Sequence, residues 1–172
     1  MVQTVELLLD EQTDAAVRRA WDVLAAAGLP SHARHAGATN RPHVTMAVAS
    51  AIPDTLGERL AGAVSALPLP VRLGGLVCFA GRRRVLARLV VPSAALLRLH
   101  AAVATAVVGC PDLRSLMLPD RWTPHVTLAR GLTGDQLGAA LSLLNDRAEL
   151  VGAAVAARRY DGDARVDWLL SL

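Results

Sequence analysis

The chain has 172 residues, 53% of them hydrophobic and 3% aromatic, with 18 basic against 15 acidic residues and a net charge of +3. That length suits one compact domain with an aliphatic, alanine-rich core. The mild charge excludes an extended nucleic-acid footprint while allowing a phosphate-bearing substrate, and no apolar run is long enough to span a bilayer.

Every basic residue is arginine, and heavy Ala, Arg, Gly and Val usage has the look of a coding bias. Cys78 and Cys110 are too few for a disulfide framework. Cys78 falls in a strand-like run and is expected to be a small buried hydrophobe. Glu6 and Asp10 interrupt the only apolar stretch near the N-terminus, so no signal peptide is read there and a cytoplasmic location is expected. A monomer is the default expectation.

Residues 2–9 read as a strand with Glu6 inside it. Residues 13–27 read as a helix whose apolar stripe contains Val17, Trp21 and Leu24, stopped by Gly28 and Pro30. A loop over 30–41 carries His32, Arg34, His35, Asn40 and Arg41, and a strand is predicted at 43–50. Leu56, Leu60, Val64 and Leu67 then recur at helical spacing over 53–67, before a strand at 71–79 entered past Pro68 and Pro70. The three arginines of the turn at 81–84 could reach a polyanion, but a solvated turn is the expected role.

A strand at 85–91 follows, then a helix capped by Ser93 and closed by Gly109. After a loop over 110–124 come a strand at 125–130 and a helix ending near Leu144, opened by Thr133 with Gln136 in capping-box spacing. Two strands, 148–160 and 166–170, end the chain around the turn Asp161-Gly162-Asp163.

The same short stretch occurs twice within this order. Pro42-His43-Val44-Thr45-Met46-Ala47 returns 82 residues later as Pro124-His125-Val126-Thr127-Leu128-Ala129. The offset also carries Leu7-Leu8-Leu9 onto Leu89-Val90-Val91, which points to a duplicated unit. The expected fold is α+β and bilobal: two mostly antiparallel sheets facing a central cleft, helices outside, related by a pseudo-two-fold axis. The lobes would be residues 1–81 and 82–172 of a single domain, joined through the arginine turn.

Side chains alternate along a strand, so His43 and Thr45 share one face, as do His125 and Thr127, while Val44, Met46, Val126 and Leu128 face the core. A single His-x-Thr is a weak motif, and a lone His in an apolar segment is usually structural. Two copies, each with His and Thr on the polar face, are not required by folding, since Val or Tyr would serve a strand as well.

Two facing imidazoles suit general acid–base catalysis, and two hydroxyls suit the nonbridging oxygens of a phosphate. In-line attack at phosphorus fits the set, with a cyclic phosphodiester as candidate substrate. Two His and two hydroxyls are a poor zinc set, and neither a metal nor another cofactor is expected. Arg130 invites a phosphate-clamp role, although strict alternation turns it to the face opposite His125. Arg41 shares the parity of His43 but precedes a proline. Trp122 and Tyr160 could stack on a base or pack at the rim. A non-catalytic module binding phosphorylated nucleotide ends is the alternative reading.

The paired His-x-Thr motifs half a chain apart, with R-P-H-V-T and an opening V-E-L-L-L-D, resemble the 2H phosphoesterase superfamily and its 2′-5′ RNA ligase-like branch. The resemblance spans essentially the whole chain. It implies metal-independent chemistry on RNA-type phosphodiesters, above all opening of 2′,3′-cyclic phosphates, with reversible 2′-5′ ligation in some members. By motif position it implies His43 as proton donor to the leaving oxygen and His125 as the base activating water, two labels a near-symmetric site could exchange. Thr45 and Thr127 would hold the phosphate. In some relatives an arginine follows the second motif, as Arg130 does here. With few aromatics and no strongly basic lobe, a small nucleotide or RNA end is the expected partner.

Overall fold

A computed structural model describes residues 2–35, 37–145 and 148–170. Strand β1 (Gln3–Leu9) leads into helix α1 (Glu11–Ala26) and strand β2 (His43–Ala49). Helix α2 (Gly57–Ala63), strand β3 (Leu69–Phe79), strand β4 (Arg84–Val90) and helix α3 (Ala94–Ala106) follow. Strand β5 (His125–Leu132), helix α4 (Gly134–Leu143), strand β6 (Leu150–Asp161) and strand β7 (Val166–Leu170) complete the order.

Local chemistry explains the elements. Asp10 caps α1, its carboxylate accepting from the Thr13 amide at 2.8 Å. Thr133 and Gln136 form the expected capping box of α4. Such caps satisfy amides that have no partner within the helix, each contributing about 1 kcal/mol. The helix expected over 53–67 is shorter: a 3-10 turn at Asp54–Leu56 precedes α2, which ends at Ala63. Pro53 before it, Gly57 and Gly62 within it and Pro68 just beyond leave little sequence that favours a long helix.

The strands form one open, antiparallel, seven-stranded sheet in the order β2-β1-β6-β3-β4-β5, with β7 also on β6. Two separate sheets were expected; β6 joins what would have been two. At 12 residues it is long enough to pair twice, its Leu150–Ala154 end with β3 and its remainder with β1. The arginine turn is the tip of the β3–β4 hairpin, so the boundary expected near residue 81 falls within a hairpin. Arg83 donates there to the Gly131 carbonyl. Cys78 is exposed rather than buried, because residues 74–80, at the hairpin end of β3, are only half-covered or exposed.

The core is aliphatic, as composition implied. Val44, Met46, Val126 and Leu128, on the predicted inner faces of the motif strands, are fully buried with Leu7, Leu73, Leu86 and Leu96. Helix α1 packs against β5 and β6, and α3 against β2 and β3. Each long helix thus rests on the motif strand from the other half of the chain.

Candidate active site

The motif strands β2 and β5 lie at opposite ends of the sheet's hydrogen-bonding order, yet they approach each other in space. Two tryptophans fix that approach. The Trp21 indole N–H, from α1, donates to the Thr127 carbonyl at 3.0 Å. The Trp122 indole N–H, from the loop before β5, donates to the Thr45 carbonyl at 2.9 Å. Strands β2 and β5 end the sheet order, and each indole gives a motif-strand carbonyl a side-chain donor. Trp122 also stacks flat on His100, with ring centroids 3.9 Å apart. One face of its ring and its N–H are therefore engaged in packing.

Both motif histidines are anchored in the same way. His43 Nδ1 lies 2.6 Å from the Arg41 carbonyl, and His125 Nδ1 lies 2.7 Å from the Thr123 carbonyl. The carbonyl belongs in each case to the residue before the proline. A carbonyl only accepts, so Nδ1 carries the hydrogen and Nε2 is the ring nitrogen left for chemistry.

Beyond that anchor the rings differ. His43 Nε2 stands 3.5 Å from Glu6 Oε1. Glu6 is 3% exposed and is held by Arg158, 1% exposed, whose Nε donates to Oε2 at 2.8 Å and whose Nη2 pairs with the same oxygen at 2.8 Å. Arg158 also binds Asp167 on β7 and the Thr39 carbonyl. His125 instead packs its ring on Phe79, centroids 4.5 Å apart. Burial holds its pKa below the ordinary histidine value, opposed by the Thr123 hydrogen bond and reinforced by the charges of Arg130 and His43.

Thr127 is buried, and its hydroxyl accepts from Arg130 Nη2 at 3.3 Å. Strict alternation put Arg130 on the wrong face. The ladder between β4 and β5 shifts register beside Arg130, and Gly131 follows at φ +82°, so the strand bends there and the side chain reaches Thr127. Thr45 is half-buried on β2 and pairs across the ladder with Glu6. Tyr160 lies on β6 with the Arg158 guanidinium 5.2 Å from its ring centroid.

A groove of about 610 Å³ opens beside His43. His32, Thr39, Asn40, Arg130, Tyr160 and Arg165 are among its walls. His32 is pushed down to about 3, first by burial and then by the charges of Arg130, His35 and His43, so it is neutral at pH 7. Among the described residues, no three His, Cys, Asp or Glu side chains cluster closely enough to hold a metal ion. Nor is any described helix long and apolar enough to cross a membrane.

Sequence reasoning missed Glu6 and Arg158 as a pair beside His43. The signal was present in part, since a carboxylate and an arginine each interrupt an otherwise apolar strand. Their mutual register, 152 residues apart, belongs to the β1–β6 pairing alone.

Paired His and Thr side chains thus stand on two strands pinned by indole donors. The profile of the 2′-5′ RNA ligase superfamily matches residues 9–164, and the chain belongs to this superfamily of 2H phosphoesterases. Its members are phosphoesterases and ligases. Among solved structures, the chain is similar to Usb1 of Kluyveromyces marxianus, at 15% identity and a TM-score of 0.53 over 99% of this chain and 98% of that one. The same protein with uridine monophosphate gives 14% identity and a TM-score of 0.54 over the same shares. At such identity the likeness shows the fold. Comparison with curated proteins gives no match.

Proposed function

We propose that this protein is a metal-independent phosphodiesterase that opens 2′,3′-cyclic phosphates of nucleotides or RNA ends by two-histidine acid–base catalysis. The observation that carries the reading is the twin anchoring of His43 and His125, which leaves Nε2 of each ring as the working nitrogen.

His125 is the base. Its ring is favoured in the neutral form, and Nε2 takes a proton from water as the water oxygen attacks phosphorus. The bond from phosphorus to the 3′-oxygen breaks, and His43 Nε2 gives that oxygen its proton. The Glu6 carboxylate stands 3.5 Å from that nitrogen. Thr45, Thr127 and Arg130 hold the nonbridging oxygens, and the product is a 2′-phosphate. With a 5′-hydroxyl in place of water, the same path would form a bond from the 5′-oxygen to phosphorus, break the bond to the 3′-oxygen and leave a 2′-5′ linkage.

The chain also reads as a duplicated unit that has exchanged its third strands. In the β3–β6 ladder, Leu69 pairs with Ala154 and Arg72 with Val151; an 82-residue offset turns one pair into the other. On that reading the spatial lobes are β1, β2, β6 and β7 on one side and β3, β4 and β5 on the other.

The test is hydrolysis of a nucleoside 2′,3′-cyclic phosphate in EDTA. We expect turnover, with kcat lowered on the order of a hundred- to ten-thousand-fold in His43→Ala and in His125→Ala. Full activity in either variant would remove the two-histidine mechanism. Binding without turnover in the unaltered protein would instead favour a module that holds phosphorylated ends.

A further inference from the structure

The groove beside His43 has a one-sided chemistry. Among the described residues, four arginines line it, Arg34, Arg130, Arg158 and Arg165, and no carboxylate does. Two are engaged, Arg158 by Glu6 and Asp167 and Arg130 by the Thr127 hydroxyl. Among the described residues, Arg34 and Arg165 have no side-chain hydrogen bond or ion pair. Each leaves a guanidinium with its donors facing solvent, a form suited to bidentate capture of phosphate.

Arg165 adds a second observation. It sits in the β6–β7 turn at φ +58°, a left-handed conformation that glycine adopts at no steric cost. The turn is closed by Asp161, whose Oδ1 accepts from the amides of Asp163 and Ala164. A long cationic side chain therefore occupies a position where backbone geometry favours glycine, at the rim of the basic groove. Strain of this kind points from an observed outlier toward a functional role.

The groove's size sets the ligand. About 610 Å³ is well beyond a single phosphate and within the range of small-molecule sites. His43 lines it and His125 does not, so the groove extends from one side of the catalytic pair. A phosphodiester reacting between the histidines would send one of its substituents along it, toward Arg34 and Arg165.

We propose that Arg34 and Arg165 form a second phosphate subsite, and that the preferred substrate is a nucleotide carrying a further phosphate besides the one being opened. This rests on the function proposed above. The subsite adds selectivity between substrates that share one reacting group. A nucleoside 2′,3′-cyclic phosphate bearing a 5′-phosphate is the simplest member of the class.

The experiment has two arms, each run on the unaltered chain, on Arg34→Ala and on Arg165→Gly. Glycine relieves the left-handed residue, so the second variant is expected to melt no lower than the parent. One arm compares kcat/KM for a nucleoside 2′,3′-cyclic phosphate with and without a 5′-phosphate. The other compares calorimetric affinity for a nucleoside 3′,5′-bisphosphate and a nucleoside 3′-monophosphate.

We expect the second phosphate to improve both quantities at least tenfold, and each variant to bring the ratio down toward one. Bisphosphate preference without turnover of either cyclic substrate would sink the catalytic reading and leave the subsite standing. Turnover with equal kcat/KM for the two substrates would overturn the subsite and leave the catalytic reading intact. A preference that survives both substitutions would also overturn it.

Discussion

His43 and His125 share a residue type, a preceding proline and a carbonyl anchor, and they differ in what lies beyond Nε2. A buried carboxylate faces one ring, while the other leans on Phe79 and feels the charges of Arg130 and His43. The difference predicts a pH profile. A histidine whose pKa is lowered on folding stays neutral to a lower pH than a free one, so a base of this kind keeps working as the medium turns mildly acidic. The acidic limb of kcat/KM, followed from pH 4 to 8, is expected to have its midpoint below the free-histidine value of 6.5. Loss of activity already complete at pH 6.5 would show that His125 is not the base. At this scale the motif residues were legible in the sequence because a repeat marks them. Glu6 was visible only as an oddity in a strand, since its purpose depends on His43 and Arg158 arriving from elsewhere.

Among the elements, the site depends on two edge strands being held in place without a ladder between them. The Trp122 N–H is one of the two indole donors that fix them. Trp122→Phe keeps the stacking surface against His100 and takes away the indole donor of the Thr45 carbonyl. The expected loss is about 1–3 kcal/mol of stability in denaturant titration, with a fall in activity that exceeds it. Unchanged stability and activity would mean the pinning is dispensable.

A second constraint lies at Gly152 on β6. A Cβ there would collide with the Thr13 and Asp10 side chains, which form the cap of α1. Gly152→Ala is therefore expected to cost about 1–3 kcal/mol and to disturb the first turn of α1. A variant as stable as the parent would show that the cap can move aside. Periodicity announced α1 and β6 separately. Their closeness is a packing fact that neither period contains.

For the whole molecule, the fold keeps several imidazoles uncharged. Burial lowers His32 to about 3 and also depresses His100 and His125. Each binds a proton more readily in the unfolded chain than in the folded one. Their contribution to stability is complete above the unfolded value near 6.5 and is lost as the pH falls toward the folded values. The unfolding free energy from urea titration should decline from pH 7 to pH 4, by roughly 1 kcal/mol per pH unit for each group that titrates. His32→Phe, which keeps a ring beside Trp21, should flatten that decline; an unchanged slope would clear His32 of the effect.

The sequence by itself determined the α+β class, the order of strands and helices, the aliphatic core and the two His-x-Thr stretches. These rest on alternation, helical spacing and caps, which act over a few residues and are written in consecutive letters. Only the tertiary structure decided that the expected two sheets are one, through a β6 long enough to pair with β3 and with β1. It alone gave the bend that returns Arg130 to Thr127, the Glu6–Arg158 pair beside His43 and the groove that Arg34 and Arg165 share. Those depend on register between strands far apart in the chain, which is set by core packing across the molecule and has no local signature.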